Sequence, residues 1–219
     1  MFSKEFLTKQ IPVLKPSDSG NFALSQMEEL KLKHLPVVND GIYVCLLCEK
    51  DIFDMPDHEA PIENAPCYAP CAGERTSILE VLHIMSKEKL TLLPVIGEAG
   101  EYIGAITLGL LTEKIDEICN AGSHGALIAI ETNPQDYSLS QLIHLAESNN
   151  ARVLSMFSFI VPDTDKHIVM IKIDLEDASP VLRSLERFNY KVKYYAQRQS
   201  LTDETMRNRL DELIYYLEM

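Results

Sequence analysis

The chain repeats itself. Leu24-x-x-Met27-x-x-x-Lys31-Leu32-x-x-Leu35-Pro36-Val37-Val38 returns at one constant offset as Leu82-x-x-Met85-x-x-x-Lys89-Leu90-x-x-Leu93-Pro94-Val95-Ile96. One residue of slippage then brings Tyr43-Val44 over Tyr102-Ile103, and Cys48 over Thr107. Two copies of one helix–strand unit imply that neither buries its apolar face alone. A cleft between two such halves is a natural seat for a small ligand.

Each copy gives the same local reading. Phe2 to Lys9 has the pattern of a short amphipathic lead-in helix. Ser19-Gly20-Asn21 opens a helix whose apolar positions Phe22, Met27 and Leu30 fall mostly on one face. Leu35–Val38 and 42–47 are predicted strands joined across Asn39-Asp40-Gly41, where Asp-Gly is a strong hairpin signal. A second helix begins at Asp51–Phe53, before the prolines at 56, 61 and 66. The second copy repeats the order: helix 77–87, strand Leu92–Ile96, strand 102–106 and helix 110–119.

Ala121-Gly122-Ser123-His124-Gly125 reads as a linker. Beyond it the spacing predicts strand 126–131, a helix with Leu139, Leu142, Ile143 and Ala146 on one face, and strands 152–161 and 167–175. Ser179-Pro180 then starts a helix as N-cap and first helical residue, and strand 191–196 follows. That order is β-α-β-β-α-β, the ferredoxin-like arrangement. Strand 152–161 is apolar on both sides, with Val153, Phe157, Phe159 and Val161 on one and Leu154, Met156 and Ile160 on the other. Two helices cover only one side of such a sheet, so the other is expected to meet a second copy of the domain, or alternatively the duplicated half of the same chain. A last helix, Asp203 to Glu218, is capped by Thr202 and carries a stripe of Met206, Leu210, Leu213, Ile214 and Leu217.

The charge narrows the function classes. The net charge is −13, with −9 in residues 1–119 and −4 in the remainder. Such a field repels phosphodiester backbones and anionic membrane surfaces, which excludes nucleic-acid and membrane binding as expectations. No run approaches the roughly 18 apolar residues of a spanning helix, and the first ten residues lack a secretory stretch, so a cytoplasmic protein is expected. Five cysteines without an export signal argue for reduced thiols. Cys45-x-x-Cys48 and Cys67-x-x-x-Cys71 could supply four thiolates to zinc. Residues three apart on a strand point to opposite faces, however, so buried free thiols are the stronger expectation and no metal is assigned.

The two copies resemble cystathionine-β-synthase (CBS) domains, which pack in tandem as one module. The Leu-Pro-Val strands and the strand–turn–strand leading into a helix carry the resemblance. That family commonly ends its second strand in Gly-h-h-Thr-x-x-Asp, where h is apolar. Here the first copy has Cys45-Leu46-Leu47-Cys48-Glu49-Lys50-Asp51 and the second has Gly104-Ala105-Ile106-Thr107-Leu108-Gly109-Leu110. The βαββαβ half resembles an ACT domain, a regulatory fold that often binds amino acids and dimerises. A CBS pair followed by ACT is the organisation of acetoin-utilisation-protein-like regulators. The implied fold class is α+β: a tandem CBS module of two β-α-β-β-α repeats (1–60 and 61–120), a ferredoxin-like βαββαβ ACT domain (124–197) and a C-terminal helix (200–219).

The resemblance also implies a ligand, AMP or another adenosyl compound, and a non-enzymatic regulatory role. The residues it designates are Leu35, Pro36, Val37, Cys48 and Asp51 in the first copy and Leu93, Pro94, Val95 and Thr107 in the second. In the family the motif Asp takes ribose hydroxyls, the hydroxyl residue contacts phosphate and the Pro-Val strand flanks adenine. A carboxylate accepts two hydroxyl hydrogen bonds and an exposed helix N-terminus favours phosphate. Each copy keeps half of the set: Cys48 replaces the hydroxyl in one and Leu110 replaces the Asp in the other. Arg75 is the one arginine before residue 120 and is either an anion contact or a surface charge. The ACT ligand loop usually carries Asp-x-Pro-Gly-x-Leu; Asn133-Pro134-Gln135-Asp136-Tyr137-Ser138-Leu139 lacks its glycine. A homodimer that docks an unidentified protein partner is therefore expected, with a ligand-free scaffold or an amino-acid-binding ACT regulator as alternatives. No catalytic signature appears among the six scattered histidines.

Overall fold

The computed structural model describes residues 1–133, 138–162, 164 and 166–197. The expected C-terminal helix, residues 134–137 of the loop expected to correspond to the ACT ligand loop, and two residues of the turn at 162–165 lie outside them. The chain divides into two compact units, Met1–Ile115 and Asp116–Met219.

In the first unit, Ser19 caps helix α1 (Gly20–Leu30) by accepting from the Phe22 N–H, and Ser77 caps helix α3 (Ile78–Lys87) by accepting from the Glu80 N–H. Both helices end beside a lysine with positive φ, Lys31 at 55° and Lys89 at 54°. Ala23 and Met27 face the core, while Phe22 is exposed. The expected Phe22–Met27 face fails because five helical residues turn the side chain about 140° away. Strands β1 (His34–Asn39) and β2 (Ile42–Cys48) form an antiparallel hairpin. Its turn needs left-handed backbone at Asp40 and Gly41, whose φ values are 49° and 82°. Helix α2 (Glu49–Phe53) follows directly. In the second copy strand β3 (Ala72–Gly73) precedes α3; then come β4 (Leu92–Ile96), β5 (Tyr102–Thr107) and helix α4 (Leu108–Cys119). The hairpin registers slip at matching places, Val37/Val38 and Val95/Ile96.

The copies close each other's sheets. Leu14 lies parallel to β1, and at the equivalent place in the second copy Ala72 lies parallel to β4. On the opposite edges the assignments cross: Thr8 pairs with Ala105 of β5, and Tyr68 pairs with Leu46 of β2. Each lead-in therefore edges the other copy's sheet before entering its own. This explains the extended backbone at Thr8, where the sequence predicts helix; only Ser3–Glu5 forms a helical turn, of the 3-10 type. It also explains how Pro36 is tolerated inside a strand. The bridge between Leu14 and Val37 uses the Pro36 C=O and the Val38 N–H, both at 2.8 Å, and asks nothing of the proline nitrogen. The two cores reflect the duplication: Leu14, Met27, Leu35, Val37 and Leu47 in one, Ala72, Met85, Leu93, Val95 and Ile106 in the other.

The cysteines depart from expectation. Cys45 and Cys67 are joined by a disulfide with their Cα atoms 5.9 Å apart, while Cys48, Cys71 and Cys119 are free. Sequence spacing could not show this, because Tyr68 brings Cys67 onto the edge of β2 only through the crossed pairing. Among the described residues no cluster of three or more His, Cys, Asp or Glu side chains is arranged to hold a metal ion. No helix among them is long and apolar enough to cross a membrane.

The second unit runs β6 (Ala126–Thr132), α5 (Leu139–Glu147), β7 (Val153–Ile160), β8 (His167–Ile173), α6 (Ser179–Arg187) and β9 (Lys191–Gln197). Its antiparallel sheet has the order β7-β8-β6-β9. Ile128, Ile130, Val169, Ile171 and Ile173 pack with Leu142, Leu145, Val181 and Leu185 of the two helices. A bulge between Val153 and Ser155 moves Val153 to the side of Met156, facing this core, so the strict alternation expected of β7 is broken. Phe157 and Phe159 remain on the far side and are exposed. Ser179 is the first helical residue rather than the cap; the Asp177 carboxylate accepts its N–H at 2.9 Å. Gly125 takes φ 112° beneath the Ile173 carbonyl, where a Cβ would collide.

Candidate functional site

The first unit's strand-to-helix corners are built alike. At the first, the Glu49 N–H donates to the Lys33 C=O at 2.9 Å; at the second, the Leu108 N–H donates to the Thr91 C=O at 3.1 Å. Both bonds turn the chain directly from strand to helix, and expose the first turn of α2 or α4. Asp51 lies in the first turn of α2, where a carboxylate complements the helix dipole. Thr107 closes β5, and its hydroxyl accepts the Leu110 N–H at 3.2 Å, the bond of a helix cap. Cys48 occupies the corresponding place before α2 and makes no side-chain cap bond. All three are partly exposed.

The other six designated residues are buried. Leu35, Leu93 and Val95 have no exposure, Val37 has 4%, and Pro36 and Pro94 are also interior. Leu35 and Val37 belong to the first copy's core; Leu93 and Val95 belong to the second's. Any contribution they make to a ligand's surroundings is through packing and backbone, since their side chains are spent on the cores.

Two residues that sequence reasoning passed over join the corners. His34 Nδ1 lies 2.9 Å from Thr91 Oγ1 and accepts the Thr91 N–H at 3.3 Å, while Thr91 Oγ1 accepts the Lys33 N–H at 3.2 Å. A lone pair used at Nδ1 leaves the proton on Nε2, the neutral tautomer. Burial pushes the His34 pKa below 6.5, opposed by the carboxylates of Asp51 and Glu49. His34 is thus a neutral link between the two copies, on which the charge of the Asp51 carboxylate acts. The available signal was positional: Lys33 and Thr91 are separated by the repeat interval itself, just before the two Leu-Pro-Val strands.

A cavity of about 420 Å³ opens elsewhere in this unit, lined by Lys4, Gly73, Glu74, Arg75, Ile96, Gly97 and Glu98. It takes in Arg75 but none of the nine designated residues. Ile96 ends β4 and pairs with Tyr102, so this cavity sits at the far end of the hairpin from Leu92 and Thr107. In the second unit a separate cavity of about 410 Å³ is lined by Glu131, Gln141, Lys166, Asn189, Tyr190 and Lys191, among others. Lys166 and Lys191 each stand 2.9 Å from Glu131 Oε1, and their hydrogen bonds hold its carboxyl down at about 2. The Tyr190 hydroxyl donates to Gln141 Oε1 at 2.7 Å.

The CBS-domain family model matches this chain twice, at residues 4–57 and 68–117. The chain is 23% identical over 192 residues to inosine-5′-monophosphate dehydrogenase of Methanocaldococcus jannaschii, covering 80% of this chain and 39% of that protein. It is 26% identical over 106 residues to the enzyme of the same name from Korarchaeum cryptofilum, covering 48% and 22%. The chain therefore spans about two fifths or less of the length of these curated relatives. Among solved structures it is similar to a CBS domain pair/ACT domain protein from Thermotoga maritima, at 21% identity and a TM-score of 0.49, over 53% of this chain and 98% of that one.

Proposed function

We propose, from the two matches to the CBS-domain family model at residues 4–57 and 68–117, that the chain is a non-enzymatic sensor whose CBS pair binds an adenosyl ligand such as AMP. The observation that carries this reading is the matched pair of corners. Asp51 and Thr107 stand at equivalent strand-to-helix junctions, partly exposed, each with an equivalent backbone bond behind it. Asp51 supplies a carboxylate for two ribose hydroxyls, and the N-terminal turn of α4 supplies N–H groups for a phosphate. A ligand seated there shifts the protein only by preferring one arrangement of its parts to another. The second unit acts as an ACT-like dimerisation domain in this reading, through the apolar far side of its sheet around Phe157 and Phe159.

Calorimetry and thermal-shift screens against AMP, ADP, ATP, S-adenosylmethionine and NADH test the proposal. Binding of at least one, abolished by Asp51→Ala without loss of folding, supports it. Absence of binding by all five removes it.

A second reading has its own observation. Thr107 spends its hydroxyl on the Leu110 N–H, and Leu110 stands where the family carries Asp. A pair with one incomplete half is also what a ligand-free scaffold would retain. The same screen separates the two readings, since a scaffold binds no adenosyl compound.

A further inference from the structure

The crossed lead-ins are fastened differently in the two copies. At the second copy's outer edge, Thr8 and Ala105 exchange backbone bonds of 2.8 and 2.9 Å, and Gly104 leaves room for the Leu7 side chain and the Thr8 carbonyl. The equivalent of Gly104 in the first copy is Cys45. There the Leu46 N–H donates to the Tyr68 C=O at 2.8 Å, and the neighbouring Cys45 is bonded to Cys67. The Tyr43 hydroxyl adds a bond to the Pro70 C=O at 2.9 Å. Residues 66–69 are exposed throughout, whereas Cys45 is buried in the core. A strap of exposed residues between Pro66 and Pro70 is thus stitched to a buried strand by one covalent bond and few polar ones.

We propose that Cys45 and Cys67 are a reversible thiol–disulfide couple: oxidation fastens segment 66–71 to the edge of β2, and reduction by a dithiol frees it. The chemistry is exchange. A thiolate of the dithiol attacks Sγ of Cys67, the end borne by the exposed strap, and the bond to Cys45 breaks with that sulfur leaving as thiolate and taking a proton. The dithiol's second thiolate then attacks the mixed disulfide and releases Cys67, which is protonated in turn. Two electrons pass to the protein and the reductant leaves as its own disulfide; a small-molecule disulfide runs the cycle backwards. Burial pushes the thiol of Cys71, four residues along, up and so favours its protonated form. The 22-residue separation that the bond spans contains Cys48 and Asp51, so the couple tethers both ends of the chain segment carrying the first corner.

The test uses the full chain equilibrated in oxidised or reduced dithiothreitol, then alkylated and digested for mass spectrometry. After denaturation in the alkylating reagent, the oxidised sample should give a Cys45–Cys67 linked peptide with Cys48, Cys71 and Cys119 alkylated; the reduced sample, still folded before denaturation, should show all five alkylated. On reduction the Leu46 amide should exchange at least about tenfold faster, and the first unit should melt on the order of 10 °C lower. The triple variant Cys48→Ser, Cys71→Ser, Cys119→Ser should keep the response, and Cys45→Ser with Cys67→Ser should behave as the reduced form in either buffer. A different pairing, a bond that resists excess dithiothreitol in the folded chain, or equal Leu46 exchange in both states overturns the proposal. None of these readouts depends on a nucleotide.

Discussion

His34 and Thr91 hold each other across the seam of the duplicated unit, with Nδ1 2.9 Å from the hydroxyl oxygen and the Thr91 N–H donating back to the ring. His34 begins β1, and Thr91 immediately precedes β4. The contact therefore ties the two Pro-Val strands together at the ends from which the corners spring.

Replacing Thr91 with Val keeps the shape but removes the hydroxyl. The Lys33 N–H loses its acceptor and His34 loses a partner. Thr91→Val is expected to cost about 1–3 kcal/mol of stability, read from the urea midpoint at unchanged m-value. A wild-type midpoint would show that the seam is held by packing alone.

His34 also gives the first unit an acid sensitivity. Its folded pKa is below the unfolded value of 6.5, so the unfolded chain takes up the proton more readily. Stability from this group is complete above 6.5 and is lost as pH falls through the depressed folded value. Between pH 7.5 and 5, wild type should lose more stability than His34→Gln. Parallel pH curves for the two proteins would contradict the assigned burial effect.

The crossed lead-ins should make the two copies unfold as one cooperative body. Leu35 and Leu93 are equivalent, both fully buried, one in each core. Leu35→Ala and Leu93→Ala should each cost about 2–5 kcal/mol and lower the same unfolding transition. Calorimetry resolving a separate transition for each copy would show that the crossing does not couple them.

Leu110 is partly exposed at the place where the second motif lacks its carboxylate. Leu110→Asp should add a ribose-binding group beside Thr107, and raise the calorimetric stoichiometry or the affinity for AMP. A folded variant with binding unchanged would argue that the second corner is not part of a ligand site.

Phe157 and Phe159 test the proposed association of the second unit. Replacing both with Glu places two like charges on the open sheet face, and sedimentation should report a dimer for the wild type and a monomer for this variant. Equal sedimentation of the two proteins would remove that face from the account.

The repeat, the serine that opens α1 at 19, the Asp-Gly hairpin and the order of most elements were legible in the sequence. They depend on contacts three or four residues away or on the backbone needs of one turn, which leave a local pattern. Where local pattern met a longer-range demand, the latter won: Thr8 is drawn into an extended pairing by β5, and Val153 crosses to the core through a bulge.

The constant repeat interval, and with it the existence of two facing halves, was determined by the sequence alone. Tertiary structure decided which edges cross, that Cys45 meets Cys67, that His34 meets Thr91, and that most of the Pro-Val residues are sealed in the cores. The reason is that these pairings join residues far apart along the chain, from Cys45 with Cys67 up to Thr8 with Ala105. Nothing in the spacing of side chains along a strand specifies which distant backbone will complete its edge.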